Sequence, residues 1–533
     1  MKSLHHPPGA PRLAFSGKLA LLLAALLAGG SSAYSQATPT LFIREYRVQG
    51  STVLSALEIE EAVYPFLGPG RTVDDVDQAR AALEKAFRDK GFQTVSVLIP
   101  NQDPRTGVIR LEVVEGKIGR LRVNGARYFL PSRIKDEAPS LAEGSVPDFN
   151  KVKEEILALN RLPDRQVKPE LRPGAEPGTY DVDLNVEDKS PLHASLELNN
   201  RYSANTTPLR LNAAISYANL FQLGHTLGVN FQIAPERADD ALVYSANYMF
   251  RVSDGISLMF QGTKQDSDIS TLGGSAVVGQ GEIIGLRALF DLPASGSFSQ
   301  SFSLGMDYKS LDEETFFGAP VTTSIDYYPI SANYGASWVK PNSFTEANAS
   351  LNFHLRGMGS SSREFNDKRY KADGSYIYLR GDVSHTRDLK DGSQLFAKVQ
   401  GQLSSQPLIN SEQYSGGGLG NARGYLEATA LGDNGVFATA EYRSPSFIGK
   451  KDADGKQADE WRLHAFVDGG TLTVLKPLPG QKSFYNFLSA GAGTRFRFRE
   501  HYNGSLDLAV PFNTQAEANS GDVRITFRGW AEF

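Results

Sequence analysis

The sequence predicts a transmembrane β-barrel of sixteen antiparallel strands, preceded by two small α/β modules of order β-α-α-β-β. Three observations carry that reading. The apolar stretch at the N-terminus is too short to span a bilayer. Residues 41–189 hold a two-fold repeat with helical stripes. From residue 190 onward those stripes vanish and alternating segments of about ten residues follow one another, the length of a strand tilted across a membrane.

Composition agrees. The 533 residues include 51 Gly, 21 Tyr and 30 Phe, which suits strands and turns better than a helical bundle. A chain 41% hydrophobic and 22% charged is not disordered. The absence of Cys excludes a disulfide scaffold, a Cys-ligated zinc site, an iron–sulfur cluster and a thiol nucleophile. A net charge of −5 argues against a general nucleic-acid binder.

Residues 1–37 read as a signal peptide. Lys2, Arg12 and Lys18 precede an apolar core over 19–28, and small residues follow at Ser31-Ser32-Ala33 and Ser35-Gln36-Ala37. Spanning a bilayer takes about 20 apolar residues, so the alternative of a membrane anchor is weaker. The expectation is a protein outside the cytoplasm, either soluble there or crossing a membrane as a barrel.

The repeat shows in two similar strands. Arg44-Glu-Tyr-Arg-Val48 runs into Gln49-Gly50, and Ile118-Gly-Arg-Leu-Arg-Val123 runs into Asn124-Gly125, an offset of 75 residues. In the first unit, 41–116, Ser55 and Glu58 form a capping box, Thr72 and Asp75 start a longer helix, and Val76, Ala79, Leu83 and Phe87 recur at helical spacing up to Gly91. Strands are expected over 94–99 and 108–114. The second unit, 117–189, places Phe149, Val152, Ile156 and Leu159 on one helical face and ends in an alternating strand over 180–186. Two such modules behind a signal peptide resemble POTRA domains, the periplasmic modules of outer-membrane protein translocases.

Residues 190–533 divide into sixteen candidate strands, from 192–202 to 522–533, an even number as bacterial barrels require. In the last, Val523, Ile525, Phe527, Ala531 and Phe533 share one face, and Arg524, Thr526, Arg528, Trp530 and Glu532 the other. In a membrane barrel the apolar face meets lipid and the polar face a wet lumen, whereas a secreted β-sandwich keeps a dry interior. The longest gaps, 405–435 and 357–375, are the expected extracellular connections.

One gap carries Gly416-Gly-Gly-Leu-Gly-Asn-Ala-Arg423-Gly424-Tyr425, and a later strand ends Phe466-Val-Asp468-Gly-Gly470. Phe466, Asp468 and Gly470 are spaced by two and share a strand face. Turned to the lumen, that face sets a carboxylate on the wall, where a folded-in loop could bring Arg423. A guanidinium matches a carboxylate with two parallel hydrogen bonds, which Lys cannot reproduce. Gly424 and Gly470 allow close approach, and Tyr425 packs on the wall. The alternative is an exposed Gly-rich turn with an unpaired Arg.

The two stretches resemble the RGY loop motif and the FxDxG strand motif of POTRA-plus-barrel translocases. Together with the two modules and sixteen strands, the chain most resembles the two-partner secretion transporters, the TpsB type (ShlB/FhaC/HecB-like haemolysin secretion/activation proteins). The resemblance implies an outer-membrane location in contact with lipid. It also implies POTRA modules in the periplasm and a partner that is a large, β-helical, TpsA-like exoprotein captured unfolded. Arg423 would be the loop-tip residue and Asp468 its partner. An edge strand has free N–H and C=O groups for an extended chain; the candidate edge lies in the first module, with Val95, Val97 and Ile99. Many members carry a plug helix ahead of the first module. Here Thr38 runs almost directly into the strand at Leu41, so no plug is expected.

Other chemistry is not indicated. There is no Walker-type loop, no His-Glu-x-x-His and no Gly-x-Ser-x-Gly, and the eight His lack metal-ligand spacing. Asp452-Ala-Asp-Gly455 lacks the later ligands of a calcium loop. The expectation is a non-enzyme with no metal, cofactor or nucleotide. Two competing readings are an assembly factor of the BamA kind and a passive diffusion channel.

Overall fold

The computed structural model describes residues 40–253, 255–266, 269–270, 277–278, 280–316, 320–449 and 459–533. The expected signal peptide, residues 1–37, and the stretch Asp452–Gly455 lie outside them. The chain forms two compact units. One comprises residues up to 119 with 143–150 and 174–180; the other comprises 120–142, 151–173 and 181–533.

In the first unit, β1 (Leu41–Ile43) pairs with β3 (Gly68–Arg71), while β2 (Glu45–Gln49), β5 (Val108–Glu115) and β4 (Val95–Leu98) form a sheet in that order. β2 runs parallel to β5, and β4 antiparallel. Helices α1 (Ala56–Val63) and α2 (Val73–Asp89) each start on a complete capping box, Ser55 with Glu58 and Thr72 with Asp75. Val76, Ala79, Leu83 and Phe87 of α2 are buried against Ile109, Leu111, Val95 and Val97. The next repeat comprises β6 (Lys117–Asn124), α3 (Pro131–Asp136), α4 (Phe149–Leu159), β7 (Arg165–Pro173) and β8 (Thr179–Asp188), in sheet order β6-β8-β7.

The two Val-x-Gly signatures have the same structural cause. Gly50 and Gly125 sit at φ +90° and +85°. A Cβ on Gly50 would strike the Val113 carbonyl, and one on Gly125 the Val186 carbonyl. A carboxylate from the end of the central strand then caps the turn that follows. Glu115 accepts from the Thr52 and Val53 N–H groups at 2.6 and 3.1 Å, and Asp188 from those of Arg127, Tyr128 and Phe129 at 2.8, 2.8 and 3.3 Å.

The barrel strands are β9 (Leu192–Asn199), β10 (Arg210–Leu220), β11 (His225–Ile233), β12 (Leu242–Ser253), β13 (Ile256–Asp266) and β14 (Gln280–Asp291). There follow β15 (Phe298–Phe316), β16 (Pro320–Tyr327), β17 (Ile330–Lys340), β18 (Ser343–His354), β19 (Tyr376–Asp388) and β20 (Gln394–Ser404). The last are β21 (Asn434–Arg443), β22 (Glu460–Thr473), β23 (Phe484–Phe498), β24 (Tyr502–Pro511) and β25 (Arg524–Glu532). They close into one antiparallel ring in which β25 pairs with β9.

β16 and β17 both pair with β15 in one continuous register, Lys309 with Tyr327 and Met306 with Ile330, so they are halves of one stave. The strand expected over 325–338 is interrupted at Tyr328-Pro329, where the proline has no N–H for the ladder. The described residues therefore form a sixteen-stave barrel. Its outer face carries exposed Ile215, Tyr244, Phe260, Ile284, Leu351 and Val399, and its inner face buries polar Arg210, Gln232, Gln265, Asp307 and Gln402. This inversion of the soluble pattern is what a lipid-facing barrel requires.

The shared glycine makes a testable point. Gly50→Ala forces a side chain into a left-handed backbone against a carbonyl and should destabilise the first module by about 1–3 kcal/mol. Hydrogen exchange on full-length protein should show faster exchange in β2 and β5 while the barrel amides are unchanged.

Candidate functional site

The site is built on the inner face of β21–β24 and on the connection between β20 and β21. On β22, Trp461, Leu463 and Val467 are exposed and apolar, whereas His464, Phe466 and Asp468 are buried. Period-two alternation therefore puts Asp468 on the lumenal face. The connection folds back onto that face, its two arms joined by a short ladder of Tyr414–Gly416 with Ala430–Gly432.

Arg423 lies against the wall and is 5% exposed. Its Nε and Nη2 donate to the two Asp468 oxygens at 2.8 and 2.9 Å, and its own backbone N–H donates to Asp468 at 3.1 Å. Its Nη1 donates to Glu441 at 2.6 Å, so the planar fork serves two carboxylates at once. The guanidinium carbon stands 3.3 Å from the centre of the Phe466 ring, a flat stack open to Arg and not to Lys. Phe466 reaches that position across Gly491, where a Cβ would lie 2.5 Å from the ring.

The neighbours of Arg423 complete the seat. The Gly424 N–H donates to Ser489 Oγ at 3.3 Å, and a Cβ on Gly424 would lie 2.7 Å from the Ser489 Cβ. Tyr425 is fully buried, edge-on to Phe487 at 5.0 Å, with its hydroxyl 2.8 Å from the Asn513 carbonyl. Gly470 leaves room for the Phe437 ring, which a Cβ there would overlap. All six predicted residues of the two motifs are thus brought together in one cluster.

The structure also supplies partners that the two motifs do not announce. Glu441 receives Arg443 at 2.8 Å and Arg495 at 3.2 Å besides Arg423. His464 crosses over Gly493 to reach Asp507 at 2.5 Å, and Asp507 stands 3.9 Å from Arg423. The cluster sets buried Arg423 and the more exposed Arg443 and Arg495 against the buried carboxylates of Glu441, Asp468 and Asp507. His464 has the same parity as Asp468 and was legible to that extent. The reach to Asp507 depends on the register of two successive ladders.

In the first module, β4 is an edge of its sheet among the described residues. The Thr94 carbonyl accepts from Gly116 N–H on the β5 side. Alternation then turns the backbone groups of Ser96 toward β5 and those of Val95 and Val97 away from it. The side chains of Val95 and Val97 are buried in the core, so only their backbones face outward. Ile99 lies beyond the strand, which ends at Leu98 because Pro100 cannot continue it; its side chain is exposed.

A closed barrel with a lipid-facing exterior, a polar lumen and an Arg-carboxylate clasp on the inner wall defines an outer-membrane transporter of the POTRA-plus-barrel class. Residues 41–116 match the POTRA domain, ShlB-type, and residues 178–496 match the haemolysin secretion/activation protein ShlB/FhaC/HecB. The second match covers more than half of the chain, and the chain belongs to that family. It is a two-partner secretion transporter of the bacterial outer membrane, with its POTRA region in the periplasm. Among relatives, the outer membrane transporter CdiB of Dickeya dadantii is 23% identical over 431 residues, 75% of this chain and 71% of that protein. The structure of CdiB from Escherichia coli aligns with TM-score 0.61 at 19% identity, covering 95% of this chain and 93% of that one. BamA from Haemophilus ducreyi lacking POTRA domains 1–3 aligns at 0.55 and 17% identity, over 92% and 100% of the two chains. These two likenesses concern the fold.

Removing one partner of a buried, hydrogen-bonded pair leaves the other charge uncompensated, at roughly 3–5 kcal/mol. Asp468→Asn should therefore loosen the loop. Arg423→Lys should do so too, despite keeping the charge, because it loses the fork and the stack. Limited proteolysis in outer-membrane vesicles should show new cleavage within 405–435 in both variants, with the barrel core intact.

Proposed function

We propose that this transporter captures one large exoprotein, unfolded, in the periplasm and passes it through its barrel to the cell surface without ATP, the loop bearing Arg423 closing the lumen between transfers. The observation that carries the reading is the Arg423–Asp468 clasp. It is a strong, directional attachment of a connecting loop to the inside of a passage. Desolvation offsets much of the attraction in such a pair, so its value is positional. It fixes the loop on the wall and leaves nothing covalent to undo.

Capture would use the free edge of β4. Val95 and Val97 would offer outward N–H and C=O groups to an extended chain, which suits an unfolded, β-forming partner of TpsA type. Energy would come from folding of the exoprotein outside, since a β-helix forming at the surface makes return unfavourable. Arg423 and Asp468, with Gly424, Tyr425, Phe466 and Gly470, would act as the loop seat, and the barrel exterior would meet outer-membrane lipid.

Three measurements test this. Quantitative proteomics of medium, periplasm and outer membrane, with and without the protein, should show one large exoprotein lost from the medium. A general fall of barrel proteins in the outer membrane would instead mark an assembly factor, and no change at all a passive channel. Val97→Pro removes one outward N–H and leaves the ladder bonds to β5; it should cut secretion severalfold with the protein level in the outer membrane unchanged. Deleting residues 410–431 should raise single-channel conductance sharply in planar bilayers, and an unchanged conductance would overturn loop closure.

A further inference from the structure

The loop that carries Arg423 has a second buried attachment, eleven residues earlier, on a different part of the wall. Glu412 closes a short 3-10 turn (Asn410–Glu412) and its side chain is 2% exposed. One carboxylate oxygen accepts from Lys309 Nζ and from the Tyr327 hydroxyl, both at 2.6 Å. The other accepts from the Tyr378 hydroxyl at 2.7 Å. The Glu412 carbonyl also takes a hydrogen bond from Gln402 at 3.2 Å. The three donors to the carboxylate come from β15, β16 and β19, and Gln402 from β20. None of these strands contributes to the Arg423 seat.

The geometry is that of a strap. In ring order, β15 stands six staves from β22, which carries Asp468. Beyond Arg423 the loop meets the wall a third time: Glu427 accepts from Arg201 at 2.8 Å, just past β9, four staves further round. A segment fixed at three such points is tied to well-separated staves of the inner wall. Chemistry distinguishes the first two fixings. At the RGY seat the loop supplies the cation and the wall the carboxylates. At Glu412 the loop supplies the carboxylate and the wall the cation, with two tyrosine hydroxyls completing the oxygens' partners. Such a site holds a carboxylate specifically, since an amide would turn its own N–H groups toward one of three donors.

We propose that Glu412 is a positioning residue of the lumenal loop, a second latch independent of Arg423, and that the passage does not open fully while Glu412 is held. This rests on the reading that the loop closes the lumen, and the experiment separates the two. The chain has no Cys, and Gly420 is an exposed loop position with open space for a side chain, since no atom lies within 4 Å of the point a Cβ would occupy. A spin label on Gly420→Cys in full-length protein therefore reports loop motion alone, and bilayer conductance of the same proteins reports closure.

Glu412→Gln should increase label mobility severalfold, give a conductance between that of the parent and the loop deletion, and add to the effect of Arg423→Ala. Because a lone buried Lys309 could disturb the wall, Lys309→Met with Glu412→Leu serves as a second variant. It removes both charges, should retain the heat-resistant electrophoretic form of the barrel, and should free the label equally. Label mobility equal to the parent in both variants would overturn the latch. Mobility that rises while even the loop deletion leaves conductance unchanged would support the latch and overturn closure by the loop.

Discussion

The constraint on which everything else rests is that no backbone N–H or C=O can be left unpaired in hydrocarbon. A sheet meets it only by closing on itself, and β25 pairing with β9 achieves that closure here. Closure at sixteen staves makes the ring wide enough to be hollow. A hollow ring in a membrane can then be governed from within by the chain's own connections. The folded-in loop between β20 and β21 is a consequence of that geometry as much as of its own sequence.

The interior chemistry follows from the same inversion. Because the apolar residues are committed to lipid, the inner wall is free to carry charge, and it does so in groups of opposite sign. Arg423, Arg443 and Arg495 face Glu441, Asp468 and Asp507. The hydrogen-bonded charges of the loop can be rehydrated on release, whereas the packing of Ala422 and Tyr425 against Phe437 and Phe487 resists it. Tyr425 and Phe466 add shape to the seat, so that the attachment is specific in place as well as attractive.

Much of this was legible beforehand, for identifiable reasons. The strands could be read because a lipid-facing stave alternates strictly over about ten residues, and the observed bounds fall within a few residues of the expected ones at most positions. The interruption at Tyr328-Pro329 escaped because alternation runs through it in unbroken register. The seat of Arg423 could be read because Phe466, Asp468 and Gly470 share one parity. Asp507 and Glu412 could not, nor could the partner of His464, since these pairings depend on register summed over successive ladders. The edge of β4 illustrates a subtler limit. The apolar alternation of Val95 and Val97 marks the face that packs inward, so the residues that stand out to the eye present only their backbones to a partner.

The glycine-and-carboxylate turn shared by the two modules has a consequence for how such chains grow. Gly50 with Glu115, and Gly125 with Asp188, each complete a turn using groups from the same module. Nothing in that arrangement has to be supplied by the preceding or following repeat. A unit whose critical joint is self-contained can be copied, lost or inserted in tandem without redesigning its neighbours. Module number is then free to drift over evolutionary time while the ring of staves, which cannot change without altering its circumference, stays fixed.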